Sequence, residues 1–237
     1  MMSVLLVIFW HRTGGTPAGG VPPGDLAALR RILGDLPGLE KALIFTPAEA
    51  QDAFTDDGPG PPLGVQLHFA DIAALEAAAA ADGGLQALCA DGVLTGLDPR
   101  QAEAQAFLAR DYRVQDATPA DGARPCSFVV HYPGPAEDAN AWHASYIRGH
   151  APLMARLPGI RALEILTPAD WVSHLPIPSV RHMQRNRVLF DSPEALTAAL
   201  QSPVRHELRA DFQALPAFQG GNYHHAMLTE TLHPRRA

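Results

Sequence analysis

The sequence is poor in several features that mark large classes of protein. It has two cysteines in 237 residues, Cys89 and Cys126. Two isolated thiols cannot build a disulfide framework, so the expectation is a pair of reduced cysteines in a cytoplasmic protein. Basic residues nowhere gather into a large cluster, and the net charge is −7 with histidines neutral. Both facts argue against nucleic acid and anionic membranes as partners. No apolar run approaches the ~18 residues of a membrane span. The apolar run Val4–Trp10 has seven residues, no basic region before it and no well-spaced small-residue cleavage site. It reads as a buried first strand and not as a secretory signal. Also missing are H-E-x-x-H, a Cys/His cluster, G-x-S-x-G and a P-loop; the glycines of Gly14–Gly24 lie in a loop without a phosphate-binding context. The expectation is therefore no metal and no organic cofactor.

What the chain does contain is a repeat. Leu36-Pro37-Gly38 recurs as Leu157-Pro158-Gly159, an offset of 121. The same offset carries Thr46-Pro47-Ala48 to Thr167-Pro168-Ala169, Phe69 to Phe190 and Leu75 to Leu196; later it slips to 120, where Ala90-Asp91 matches Ala210-Asp211. A nearly constant offset in both halves indicates a tandem duplication. The expected units are 1–117 and 118–237, with a turn-rich junction at Thr118-Pro119-Ala120-Asp121-Gly122.

Each half reads in the order β-α-β-β-α-β. In the second, strands are expected at Ser127–Tyr132, Ile160–Leu166, His182–Phe190 and Tyr223–Glu230. A helix is expected from about Ala136 to Leu157, ended by Pro158-Gly159, and another opens at Ser192-Pro193-Glu194. This is the ferredoxin-like α+β arrangement. Its four-stranded sheet has one bare face, which the sibling repeat can cover. The expected fold is thus two ferredoxin-like repeats packed as an α/β-barrel within one chain.

The segment Trp142-His143-x-x-Tyr146-x-x-x-His150-Ala151-Pro152-Leu153, followed by Leu157-Pro158-Gly159, resembles the EthD-like branch of the dimeric α/β-barrel superfamily. The stretch Phe190-x-Ser192-Pro193-Glu194-Ala195-Leu196 and the Asp211-Phe212 region are similar to it as well. The resemblance covers nearly all of the second half and reaches the first through scaffold positions. It implies a ligand pocket between sheet and helices. Relatives include isomerases, polyketide cyclases, cofactor-free monooxygenases and haem-binding enzymes, so haem on His150 is an alternative that the resemblance raises.

The halves differ in polar residues. His143 maps to Pro22, Tyr146 to Asp25, His150 to Leu29, Asn186 to Val65, Tyr223 to Glu103 and His225 to Gln105. The first half therefore reads as structural. By helical spacing His143, Tyr146 and His150 share an inward face, and they are the expected catalytic residues. His225, Tyr223, Asn186, Arg187, His131 and Trp142 are the expected substrate-binding residues. A histidine that titrates near neutrality can take and return a proton. The leading expectation is a cofactor-independent lyase, isomerase or cyclase acting on a small aromatic molecule in aromatic catabolism, such as a deformylating C–C lyase. The alternatives are a cofactor-free phenol monooxygenase and a non-catalytic ligand-binding or stress-response barrel. A homodimer is left open.

Overall fold

A computed structural model describes residues 4–12 and 20–235. The glycines at 14, 15 and 19 lie outside the described residues. The first repeat contributes β1 (Val4–Trp10), α1 (Pro23–Gly34), β2 (Leu39–Pro47), β3 (Leu63–Phe69), α2 (Ile72–Ala79) and β4 (Ala102–Tyr112). The second contributes β5 (Cys126–Tyr132), α3 (Ala139–Ser145), a wide turn at Tyr146–His150, α4 (Ala151–Met154), β6 (Ala162–Pro168), β7 (Gln184–Phe190), α5 (Pro193–Leu200), α6 (Pro203–Gln213) and β8 (Tyr223–Leu232).

The eight strands close into one barrel in the order β1-β3-β2-β8-β5-β7-β6-β4. Each repeat supplies a block of four, β4-β1-β3-β2 and β8-β5-β7-β6. The seams between blocks are the antiparallel pairs β2·β8 and β4·β6. Closure removes the sheet edges that either repeat alone would leave open. The two halves match in register as well. Val4 faces Phe69 and Leu108, as Cys126 faces Phe190 and Leu228. Both Leu-Pro-Gly exits use glycine with positive φ, 76° at Gly38 and 74° at Gly159. A side chain at either position would be strained.

Strand alternation sorts the side chains into three cores. Leu5, Val7, Phe9, Leu43, Phe45, Phe107, Val129, Leu166 and Met227 fill the barrel interior. Leu6, Ile8 and Trp10 turn outward to α1 and α2, and Val130, Tyr132 and Val188 turn to the helices of the second repeat. Each buried large apolar side chain contributes roughly 1.5–3 kcal/mol relative to exposure. Val4–Trp10 is the buried strand its composition implied. Cys89 and Cys126 are both free. Among the described residues no helix is long and apolar enough to cross a membrane.

Candidate active site

The helix expected over residues 136–157 is interrupted. Asp138 caps α3 through its carboxylate, which accepts from the Ala141 N–H at 2.9 Å. At the other end of the wide turn, the Ala151 N–H reaches back to the Tyr146 carbonyl, five residues away and not four. Pro152 accounts for the change. It has no N–H, and its ring would press on the Arg148 carbonyl in a regular helix. The extra residue in the turn changes which side chains face the sheet. Trp142, Tyr146, His150 and Met154 are buried, whereas His143 is half-exposed at the margin. The expected face His143–Tyr146–His150 is corrected accordingly: Trp142 takes the inner position. Wide turns of this kind occur often at functional sites.

His150 Nδ1 lies 2.8 Å from Asp211 Oδ2 on α6. The approach of α6 depends on Gly149, where an added Cβ would sit 3.1 Å from Asp211 Oδ1. Burial pushes the His150 pKa down, opposed by its hydrogen bond and attraction to Asp211. Its neutral form therefore dominates at neutral pH. With Nδ1–H donating to the carboxylate, Nε2 is the basic nitrogen.

Tyr146 stands beside this pair, its ring centroid 4.7 Å from that of His150. The Asn186 amide donates to the Tyr146 hydroxyl at 2.5 Å, and Tyr132 Oη lies 3.3 Å from the same oxygen. Burial, then the neighbouring Tyr132, pushes the Tyr146 phenol well above its ordinary value. It stays protonated and can donate. Trp142 stacks on Tyr146 at 4.9 Å. Gln184 donates to the Asn186 side-chain oxygen at 2.9 Å.

His150, Tyr146 and Tyr132 border a cavity of about 50 Å³ also lined by Arg205 and His224. A loop of the first repeat, residues 48–62, straps over this region. Asp52 forms a two-oxygen pair with Arg205 (3.0 and 2.8 Å), Asp57 binds the His224 ring at 2.9 Å, and the Gln51 N–H donates to Thr197 at 3.1 Å. The first repeat is thus more than a wall, since it holds two of the polar groups at the pocket.

Four expected substrate-binding residues lie elsewhere. His131, Arg187 and His225 face the barrel interior, on the opposite side of the sheet from His150. Strand parity is the reason. Ser127, Val129 and His131 alternate with Val130 and Tyr132, so the helix-facing members of β5 and β7 are Tyr132 and Asn186. Arg187 is consumed by Glu164, at 2.7 and 2.9 Å. Tyr223 is half-exposed at the start of β8. On β8 it is His224, stacked on Phe128, and not His225, that faces the pocket. Asp211 and Arg205 escaped assignment because α6 meets the Tyr146–His150 turn and α4 through tertiary packing, which no sequence spacing reports.

No family model matches the sequence, and no curated protein matches it. Solved structures do. An anthrone oxidase-like protein superposes with a TM-score of 0.58 at 15% identity, over 97% of this chain and 92% of its own. A proposed monooxygenase from Fusobacterium nucleatum gives 0.57 at 8%, over 98% and 94%. Another from Lactobacillus acidophilus gives 0.54 at 10%, over 98% and 97%. At such identities the likeness establishes a shared fold, the dimeric α/β-barrel, across nearly the whole chain.

Proposed function

We propose that the chain is an enzyme that moves a proton on a small aromatic or phenolic molecule, in the helix-side pocket of the second repeat and without an organic cofactor. The observation that carries this reading is the pair of buried His150 with half-buried Asp211 beside the buried Asn186–Tyr146 pair. His150 Nε2 takes a proton from a substrate hydroxyl or an activated carbon. Asp211 orients the ring and stabilises its charged form. The Tyr146 hydroxyl accepts from Asn186, and its proton, otherwise directed to the weak acceptor Met154 Sδ at 3.9 Å or to Tyr132, can turn to the oxyanion that results. The Tyr146–His150-Ala151-Pro152-Leu153 segment is the reason for placing the chain with the EthD-like branch.

The cavity is about 50 Å³, and a benzene-sized guest needs about 150 Å³. Binding an aromatic ring therefore requires the 48–62 strap to shift. Residues 51–59 are mostly exposed and anchored through Asp52 and Asp57, which suits a segment that opens.

An isomerase, cyclase or deformylating lyase would finish the reaction by returning the proton elsewhere or by breaking a C–C bond. A second reading is a cofactor-free oxygenase, in which the same deprotonation makes an electron-rich anion that reacts with oxygen; the names of the three fold neighbours favour keeping it. A panel of phenols and polycyclic phenol–ketones, anthrone included, tests both. Product mass separates isomer from cleavage product, and dissolved oxygen separates either from oxygenation. His150→Ala should lower turnover by about 10²–10⁴-fold. Full turnover in that variant would end the proposal.

A further inference from the structure

The barrel interior holds a second chemical cluster, across the sheet from His150. Glu103 on β4, His131 on β5 and His182 just before β7 each place one ligand atom within 4.8 Å of the other two. His225 stands beside them, its ring centroid 5.5 Å from that of His131. Two features distinguish this group from histidines kept for packing. First, His131 Nε2, His182 Nδ1 and His225 Nδ1 are buried with no hydrogen-bond partner among the described residues. An unpaired buried imidazole nitrogen is costly, and a packing role alone would not select three of them. Second, His182 is fixed in place. The Gln105 side chain accepts from its N–H and donates to its carbonyl, both at 3.0 Å.

We propose that Glu103, His131 and His182 form a binding site for one divalent transition-metal ion. Two imidazoles and a carboxylate from three separate elements suit zinc, iron or nickel, and they leave coordination positions open. Arg185 does not compete for the whole carboxylate. Its Nη2 donates to Glu103 Oε1, which His182 Nε2 also meets at 3.2 Å, while Oε2 among the described residues meets His11, at a loose 3.4 Å. A carboxylate has lone pairs for both an arginine and an ion. Arg185 is itself fully buried, with its guanidinium over Phe9 at 5.2 Å, and it orients Glu103 as an outer-shell partner does. His182 and Gln105 also line a cavity of about 550 Å³ bounded by residues 133–139 and 168–183, which brings one of the three ligands to a space that a reactant can enter.

The test is zinc titration by calorimetry of chelator-treated, tag-free protein, repeated with cobalt(II) and read by its visible absorption. The expected result is one ion per chain, with a cobalt spectrum of imidazole coordination. His131→Ala and His182→Ala should each weaken binding at least about tenfold, and Glu103→Gln should weaken it and shift the cobalt spectrum. Glu103→Gln keeps side-chain volume and serves if a histidine variant does not fold. His150→Ala should leave zinc affinity unchanged. Absence of saturable zinc binding, or undiminished binding in Glu103→Gln and in whichever histidine variants fold, would overturn the proposal. So would equal loss in His150→Ala, which would move the ion to the helix-side pocket.

Discussion

Replacing Glu164 by Gln should destabilise the protein by about 3 kcal/mol at pH 7, and the deficit should shrink in acid. Inside the barrel Glu164 is 5% exposed and accepts from Arg187 at 2.7 and 2.9 Å and from Gln66 at 2.8 Å. Burial alone would raise its pKa, but the Arg187 charge and hydrogen bonds hold it at about 2. An unfolded glutamate titrates at about 4.3, and each pH unit between folded and unfolded values is worth about 1.4 kcal/mol. The folded-state value is depressed, so this stability is present above the unfolded value and is lost as pH falls toward 2. Removing one partner of a buried pair independently predicts about 3–5 kcal/mol, because Arg187 is left charged and unpaired. The same reasoning makes Glu164→Leu with Arg187→Met far milder than Glu164→Gln alone. Urea unfolding of wild type and both variants at pH 7 and near pH 3 measures these differences. A Glu164→Gln deficit under about 1 kcal/mol at pH 7, or one undiminished near pH 3, would refute the reasoning.

Three further predictions concern the pocket. Asp211 raises the His150 pKa against burial, so Asp211→Asn should shift the acid limb of the rate profile to lower pH while cutting turnover by about 10²–10⁴-fold, as for other carboxylate–histidine pairs; a limb that stays put or rises counts against the pair. Gly149→Ala would bring a methyl to 3.1 Å from Asp211, and it should reproduce part of the Asp211→Asn effect at a stability cost of about 1–3 kcal/mol, checked by histidine NMR titration. Asp52→Asn should loosen residues 48–62, seen as faster amide exchange confined to that strap and as tighter or faster binding of aromatic probes; unchanged exchange would mean that the Arg205 pair does not hold the strap.

Much of the fold was legible in the chain because it depends on local rules repeated twice. Leu-Pro-Gly ends a helix wherever it occurs, and Ser192-Pro193 opens one. A strand such as Val4–Trp10, apolar on both faces, has to be buried on both faces. Once β-α-β-β-α-β appears twice, the closed barrel follows from the need to cover two bare sheets. The interruption at Tyr146–His150 was less visible, although its cause, Pro152, was in plain sight. A proline two residues past His150 widens the turn before it, and that widening exchanges Trp142 for His143 on the inner face.

The sites were less legible than the fold because each depends on parity and on contacts between distant segments. A strand shows that its odd and even residues part company but not which set meets the helices. His131, Arg187 and His225 are on the barrel side because Val129 and Met227 are needed in the interior core, and the neighbours of such residues in sequence inherit the opposite face. The mapping of His225 onto Gln105 and of Tyr223 onto Glu103 was read as a loss in the first repeat. In the folded chain Glu103 and Gln105 face histidines of the second repeat inside the barrel. Glu103 gathers His11, His182 and Arg185, and Gln105 clamps His182. Each repeat therefore supplies polar residues to the other's half of the barrel: Glu103 and Gln105 reach second-repeat histidines inside it, and Asp52 and Asp57 reach Arg205 and His224 outside it. A symmetric pair of identical chains would have to build both arrangements twice. Joining the repeats in one chain lets each face of the sheet carry a different set of groups, so both clusters depend on the halves having different residues at matching positions.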